Sequence, residues 1–95
     1  MLFLVISTPA PSQPSTMRQR RQAYWQWIDT VREKGLLREV YSRAGRGAVA
    51  IFEVHGNEAL HALINEWAEI VPAQFEVIPL LDAGAARAYL QTDER

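Results

Sequence analysis

The chain has 95 residues, 48% of them apolar, a net charge of -1 and no cysteine. That balance suits one packed globular domain rather than a disordered chain, and it gives no general pull toward nucleic acid or acidic lipid. The missing thiol excludes disulfides, a Cys nucleophile and a Cys-type zinc site.

Residues 2–7, LFLVIS, form a continuous apolar run and predict a central strand buried on both faces. The run is too short to span a membrane and lacks a basic leader, so we expect neither a membrane anchor nor a signal peptide, and a cytoplasmic location. Three prolines make 8–14 a loop. Ser15 or Thr16 then caps a helix that runs to Lys34, with Gly35 as its stop. Met17, Tyr24, Trp27, Ile28 and Val31 recur at helical spacing as its core stripe, and Arg20 falls on that stripe too.

Residues 35–54 predict a hairpin around Ala44, Gly45, Arg46 and Gly47. An even loop centred on Gly45 and Arg46 pairs Arg38 with Glu53, Val40 with Ile51 and Ser42 with Val49. The other face then carries Leu37, Glu39, Tyr41, Ala50, Phe52 and Val54. Glu39 is the odd member, a carboxylate among apolar neighbours. Desolvation there raises a carboxyl pKa toward general-base range; the competing reading is an edge-strand charge that reaches water.

Asn57 is the expected N-cap of a second helix with Leu60, Leu63, Ile64 and Trp67 on its inner face, ending before Pro72. Residues 74–80 alternate as a strand, and Pro79 assigns it to a sheet edge. Asp82 caps a short helix over 85–90, and 92–95 is expected to fray. The order β-α-β-β-α-β is the ferredoxin-like α+β arrangement with a four-stranded antiparallel sheet, as one domain over 1–95 whose core is 1–80, with 81–95 as a short helix and tail. Right-handed crossovers place the first and third strands in the middle. Both sheet faces are apolar and two helices cover only one, so a second copy is the expected cover, giving a homodimer or a larger ring.

The opening MLF, the long first helix, the stretch from Gly35 through Gly45, FEV at 52–54 and EALH at 58–61 resemble the muconolactone isomerase family. The resemblance implies a dimeric α/β barrel and a proton and double-bond shift in a small lactone or organic acid, without metal or cofactor. Arg38 matches a family arginine, and His61 lies in the EALH match. The chain departs from the pattern at Leu4, where the family has a histidine, near Glu39, where it has another, and at WAEIVPAQF, which replaces a Leu-Pro-Phe-Pro-Tyr type segment.

Arg20, Tyr24, Glu39 and Tyr41 are the expected pocket between the first helix and the sheet. Glu39 is the candidate base, and Arg20 or Tyr41 holds an oxyanion. Arg38 takes a substrate carboxylate, and His61 stands at a pocket mouth. The bland alternatives are an arginine lying along the core and tyrosines that only pack. His55 and His61 are spaced wrongly for two ligands on one helical face, so no metal is expected. Arg18, Arg20 and Arg21 with Tyr24, Trp25 and Trp27 read as a solvated helix face rather than a nucleic-acid surface, with Trp25 as a subunit contact. A non-catalytic ligand-binding or assembly module, or by fold analogy a cofactor-free monooxygenase, stands as the alternative function.

Overall fold

The structure is a computed structural model and describes residues 1–93. Its strands are β1 (Leu2–Pro9), β2 (Leu37–Ser42), β3 (Ala48–Glu53) and β4 (Ala73–Leu80). A short 3₁₀ turn, Pro14–Met17, leads into α1 (Arg18–Glu33), and α2 (Asn57–Ile70) and α3 (Ala83–Asp93) follow the hairpin and β4. The sheet order is β2-β3-β1-β4 with every pair antiparallel. The first and third strands are therefore central, as expected, and Pro79 sits on an edge strand that does not need its missing donor. Among the described residues no helix is long and apolar enough to cross a membrane.

One face of the sheet holds the core. Phe3, Val5, Ala48, Ala50 and Phe52 meet Tyr24, Ile28 and Val31 of α1 and Leu60, Leu63 and Trp67 of α2, all buried. Trp67 is the hub, with ring centroids 5.1 Å from Phe75, 5.6 Å from Tyr24, 5.8 Å from Trp27 and 6.2 Å from Phe52. Such tilted and edge-on contacts suit the ring quadrupoles and add to the burial itself. Trp27 also donates from Nε1 to Glu66 Oε1 at 2.8 Å, tying α1 to α2. On the other face Leu2, Leu4, Ile6, Val49 and Ile51 are only half-buried, so β1 is central but covered on one side.

The hairpin corrects the expected register. Tyr41 faces Val49 and Ser42 faces Ala48, which makes the turn odd in length rather than even. A β-bulge between Leu37 and Glu39 restores Leu37 to Phe52. The extra residue at Arg38 divides the strand: Leu37 stays on the helix-covered face, while Glu39 and Tyr41 turn to the open face with Val49 and Ile51. The expected Arg38–Glu53 ion pair does form, across the bulge.

The helix starts also differ. α1 begins through the 3₁₀ turn, without a side-chain cap, and the Thr16 hydroxyl donates to Gln13 O at 2.8 Å instead. Gly56, not Asn57, holds the N-cap of α2. Asp82 caps α3 as expected, Oδ2 accepting from Gly84 N at 3.0 Å. α3 runs through Asp93, beyond the expected helix end, and 94–95 of the expected frayed tail lie outside the described residues.

Gly47 explains the turn. Its φ is +101°, and a Cβ there would lie 2.3 Å from the Ser7 carbonyl oxygen, which is backbone and cannot step aside. Gly45 has φ +95° but open space around it. Gly45→Ala therefore bears only the conformational cost of a left-handed Ala, about 1 kcal/mol. Gly47→Ala adds a clash with β1, and denaturant unfolding should show it less stable than Gly45→Ala by at least about 1 kcal/mol. Equal midpoints for the two variants would contradict the close approach.

Candidate active site

A recess on the covered side of the sheet lies where the hairpin turn, the end of β1 and the start of α1 meet. It is a cleft of about 130 Å³. Met17, Tyr24, Trp25 and Trp67 give it apolar and aromatic walls, and Ser7, Ser42 and Ala48 line its sheet side. Arg21, Arg43 and Arg46 line it as well, and none of its lining residues is acidic or a histidine. In a chain of net charge -1 this corner is locally cationic, which draws anions and raises their local concentration.

Two of the arginines are held in place. Arg43 Nη1 donates to Ser7 O at 3.1 Å and to Thr8 Oγ1 at 2.9 Å. Arg46 Nη1 and Nη2 donate to Ser12 O and Ser12 Oγ, at 2.5 and 3.0 Å. Arg21 makes no hydrogen bond or ion pair among the described residues and is able to turn toward a ligand. Among the described residues Ser7 is the one buried polar side chain besides the Tyr24 hydroxyl; its Oγ accepts from Ala48 N at 3.1 Å. Its hydroxyl proton is left for a further partner.

Tyr24 is the chemically distinctive group. It is 7% exposed, and its hydroxyl is buried without a hydrogen-bond partner. Burial pushes the phenol up to about 12 from 10.0, because the phenolate is the form that burial disfavours. At neutral pH Tyr24 is thus a neutral phenol with an unused O–H, and an orphaned buried hydroxyl beside a cleft is a natural hydrogen-bond donor for something that enters.

The six residues singled out in the sequence do not gather here. Tyr24 alone lines the cleft. Arg20 is exposed and donates to Ile70 O at 3.3 Å, at the end of α2, so it neither lies along the core nor reaches a pocket. Glu39 and Tyr41 are exposed on the open face, with Tyr41 OH donating to Glu39 Oε2 at 3.3 Å. Arg38 is occupied by Glu53. His61 is exposed on α2, its ring 3.1 Å from Asn65 Nδ2. The convergence of Arg20, Tyr24, Glu39 and Tyr41 is corrected by the bulge at Arg38, which sends the strand pair to the other side of the sheet. Among the described residues no group of three His, Asp or Glu side chains is placed to hold a metal.

Arg43 and Ser7 had no motif to mark them. Arg46 reads as a turn residue, Arg21 as part of a solvated helix face, and Ser7 as the polar end of an apolar run. The one available signal was that two arginines flank Gly45 while a third lies one position beyond Arg20.

Comparison with known proteins gives the fold a lineage. The family model described as a domain of unknown function, DUF3303, matches residues 1–93. No curated protein matches the chain. Among solved structures, muconolactone isomerase superposes with a TM-score of 0.67 at 24% identity, over 86% of this chain and 90% of that one. The 5-chloro-2-hydroxyhydroquinone dehydrochlorinase of Burkholderia phenoliruptrix AC1100, solved with 2,5-dihydroxybenzoquinone, superposes with a TM-score of 0.64 at 15% identity, over 90% and 98%. The resemblance drawn from short motifs is thus upheld as a shared fold.

Tyr24 gives a pH prediction. Its folded pKa lies above the unfolded value, so its contribution to stability is complete below pH 10 and is lost as pH rises toward 12. Tyr24→Phe removes both that slope and an unsatisfied buried hydroxyl. The variant should be more stable than the parent by on the order of 1 kcal/mol at pH 7, and the difference should widen above pH 10. A destabilised variant at pH 7 would mean that the hydroxyl has a partner.

Proposed function

We propose, from the premise that the chain belongs to the DUF3303 family and has the muconolactone isomerase fold, that it binds a small ring-bearing organic acid or lactone in the cleft beside Tyr24, without a cofactor. The observation that carries this is the neutral, unpartnered Tyr24 phenol at an arginine-lined recess with aromatic walls. Arg21 holds the ligand's carboxylate, Trp25 and Met17 flank its ring, and the fixed charges of Arg43 and Arg46 keep the corner cationic. The Tyr24 O–H donates to a ring or carbonyl oxygen.

A double-bond shift is the reaction such a cleft assists. When water takes a proton from the carbon next to a carbonyl, the electron pair moves onto the carbonyl oxygen. A neutral donor aimed at that oxygen and nearby cations lower the energy of the enolate; protonation at the far end of the conjugated system completes the shift. Tyr24 and Arg21 stabilise that charge. The fold relative that is a dehydrochlorinase was solved with a quinone, a small oxygen-bearing ring. The lining contains no carboxylate or imidazole to act as base, and that observation favours a second reading, in which the protein binds the ligand without transforming it.

The two readings separate experimentally. Tryptophan fluorescence, reported by Trp25 and Trp67, should show saturable binding of a five-membered unsaturated lactone carrying a carboxylate arm. Arg21→Gln and Tyr24→Phe should each weaken it about tenfold, one charge-assisted or buried hydrogen bond being worth roughly 1–3 kcal/mol. Glu39→Gln should leave it unchanged. No binding, or a loss confined to Glu39→Gln, would overturn the site. In D₂O, protein-dependent exchange of the proton beside the carbonyl, slowed in Tyr24→Phe, identifies the isomerase; binding without exchange identifies the binding module.

A further inference from the structure

A second recess adjoins the Tyr24 cleft. It is open, about 370 Å³ in volume, and Arg18, Arg21, Gln22 and Trp25 line it together with Pro14 and Ser15. Pro14, Arg21 and Trp25 belong to both linings, so the two recesses share a wall. No residue lining either one is acidic. Arg18, Arg21, Arg43 and Arg46 thus bring four guanidinium groups to one continuous surface with no carboxylate among them.

The start of α1 leaves two of these cations unspent. Arg18 and Arg21 are three positions apart, and Arg21 and Trp25 four, so all three side chains share one face of the helix. The first turn of α1 contains no acidic residue, although this end of a helix favours anions and disfavours cations. Among the described residues neither Arg18 nor Arg21 makes a hydrogen bond or an ion pair. Arg20, between them, differs: it donates to Ile70 O. Trp25 is 44% exposed, and its ring stands edge-on to Tyr24 with centroids 5.0 Å apart. The face therefore runs from an unpartnered buried phenol, past an indole, to two unpaired guanidinium groups.

A single carboxylate on Arg21 leaves Arg18 unmatched. We propose that the ligand carries two acidic arms on one edge of its ring, the first held by Arg21 at the mouth of the Tyr24 cleft and the second held by Arg18 in the outer recess. This rests on the reading of the Tyr24 cleft as a binding site and names the class of ligand it selects, a ring-bearing diacid. Residues three apart on a helix have Cβ atoms about 5–6 Å from each other, so arms on neighbouring ring carbons reach both arginines. The planar guanidinium fork suits a carboxylate at each position.

Titration calorimetry on the full chain tests this with two probes. One is the unsaturated lactone with a single carboxylate arm; the other is the same lactone with a second carboxylate on the neighbouring ring carbon. The diacid should bind about fivefold tighter, as expected for one added ion pair at an exposed site. Its affinity should also fall more steeply as salt is raised. Arg18→Gln should erase the advantage of the diacid, Arg18→Lys should keep part of it, and Arg21→Gln should weaken both probes, all with unchanged circular dichroism. Equal affinities for the two probes, or an advantage that survives Arg18→Gln, would overturn the second arm and leave the Tyr24 cleft standing. Binding of neither probe would overturn both.

Discussion

The contact between the hairpin turn and the end of β1 is the constraint on which the rest depends. Gly47 lies so close to the Ser7 carbonyl that no side chain fits between them. The same carbonyl accepts from Arg43, and the Ser7 hydroxyl accepts from Ala48 N. Arg43 N in turn donates to Gly47 O at 2.9 Å and closes the turn. These bonds set where β3 begins, and hence which of its residues face the helices. They also hold Arg43 at the lip of the cleft. A polar cluster anchored on the buried Ser7 specifies geometry because the buried groups left unmatched would be costly.

From that anchor the two sides of the sheet acquire different characters. The covered side is an aromatic core around Trp67 that ends in a cationic recess. The open side combines aliphatic residues with the Glu39–Tyr41 pair. The bulge at Arg38 separates the two, since it sends Leu37 inward and Glu39 outward within three residues. The neutral Tyr24 donor and the three cleft arginines are on the first side, and the half-buried aliphatic surface is on the second.

The fold was legible because its signals are periodic and redundant. The apolar run of β1, the stripe of α1 through Tyr24, Ile28 and Val31, the stripe of α2 and Pro79 on an edge strand all point to one topology. The site was legible only at Tyr24. Arg20 shares the stripe's angular position but sits near the start of α1, where its long side chain reaches the end of α2 rather than the core. Glu39 was misplaced because strand faces alternate with a period of two, so one bulged residue inverts every assignment beyond it. Arg43 and Arg46 gain their role from a turn folding back onto β1, a contact between residues some 35 positions apart in sequence. No local pattern encodes it.

The central claim is that small-molecule chemistry belongs to the recess at Tyr24 and not to the open face at Glu39. A crystal structure of the full chain with a bound unsaturated lactone acid tests it most directly. The account predicts the ligand's ring beside Trp25 and Met17, its carboxylate on Arg21 and an oxygen within hydrogen-bond distance of the Tyr24 hydroxyl. A ligand seated on the open face against Glu39 and Tyr41, with the Tyr24 recess empty, would contradict it.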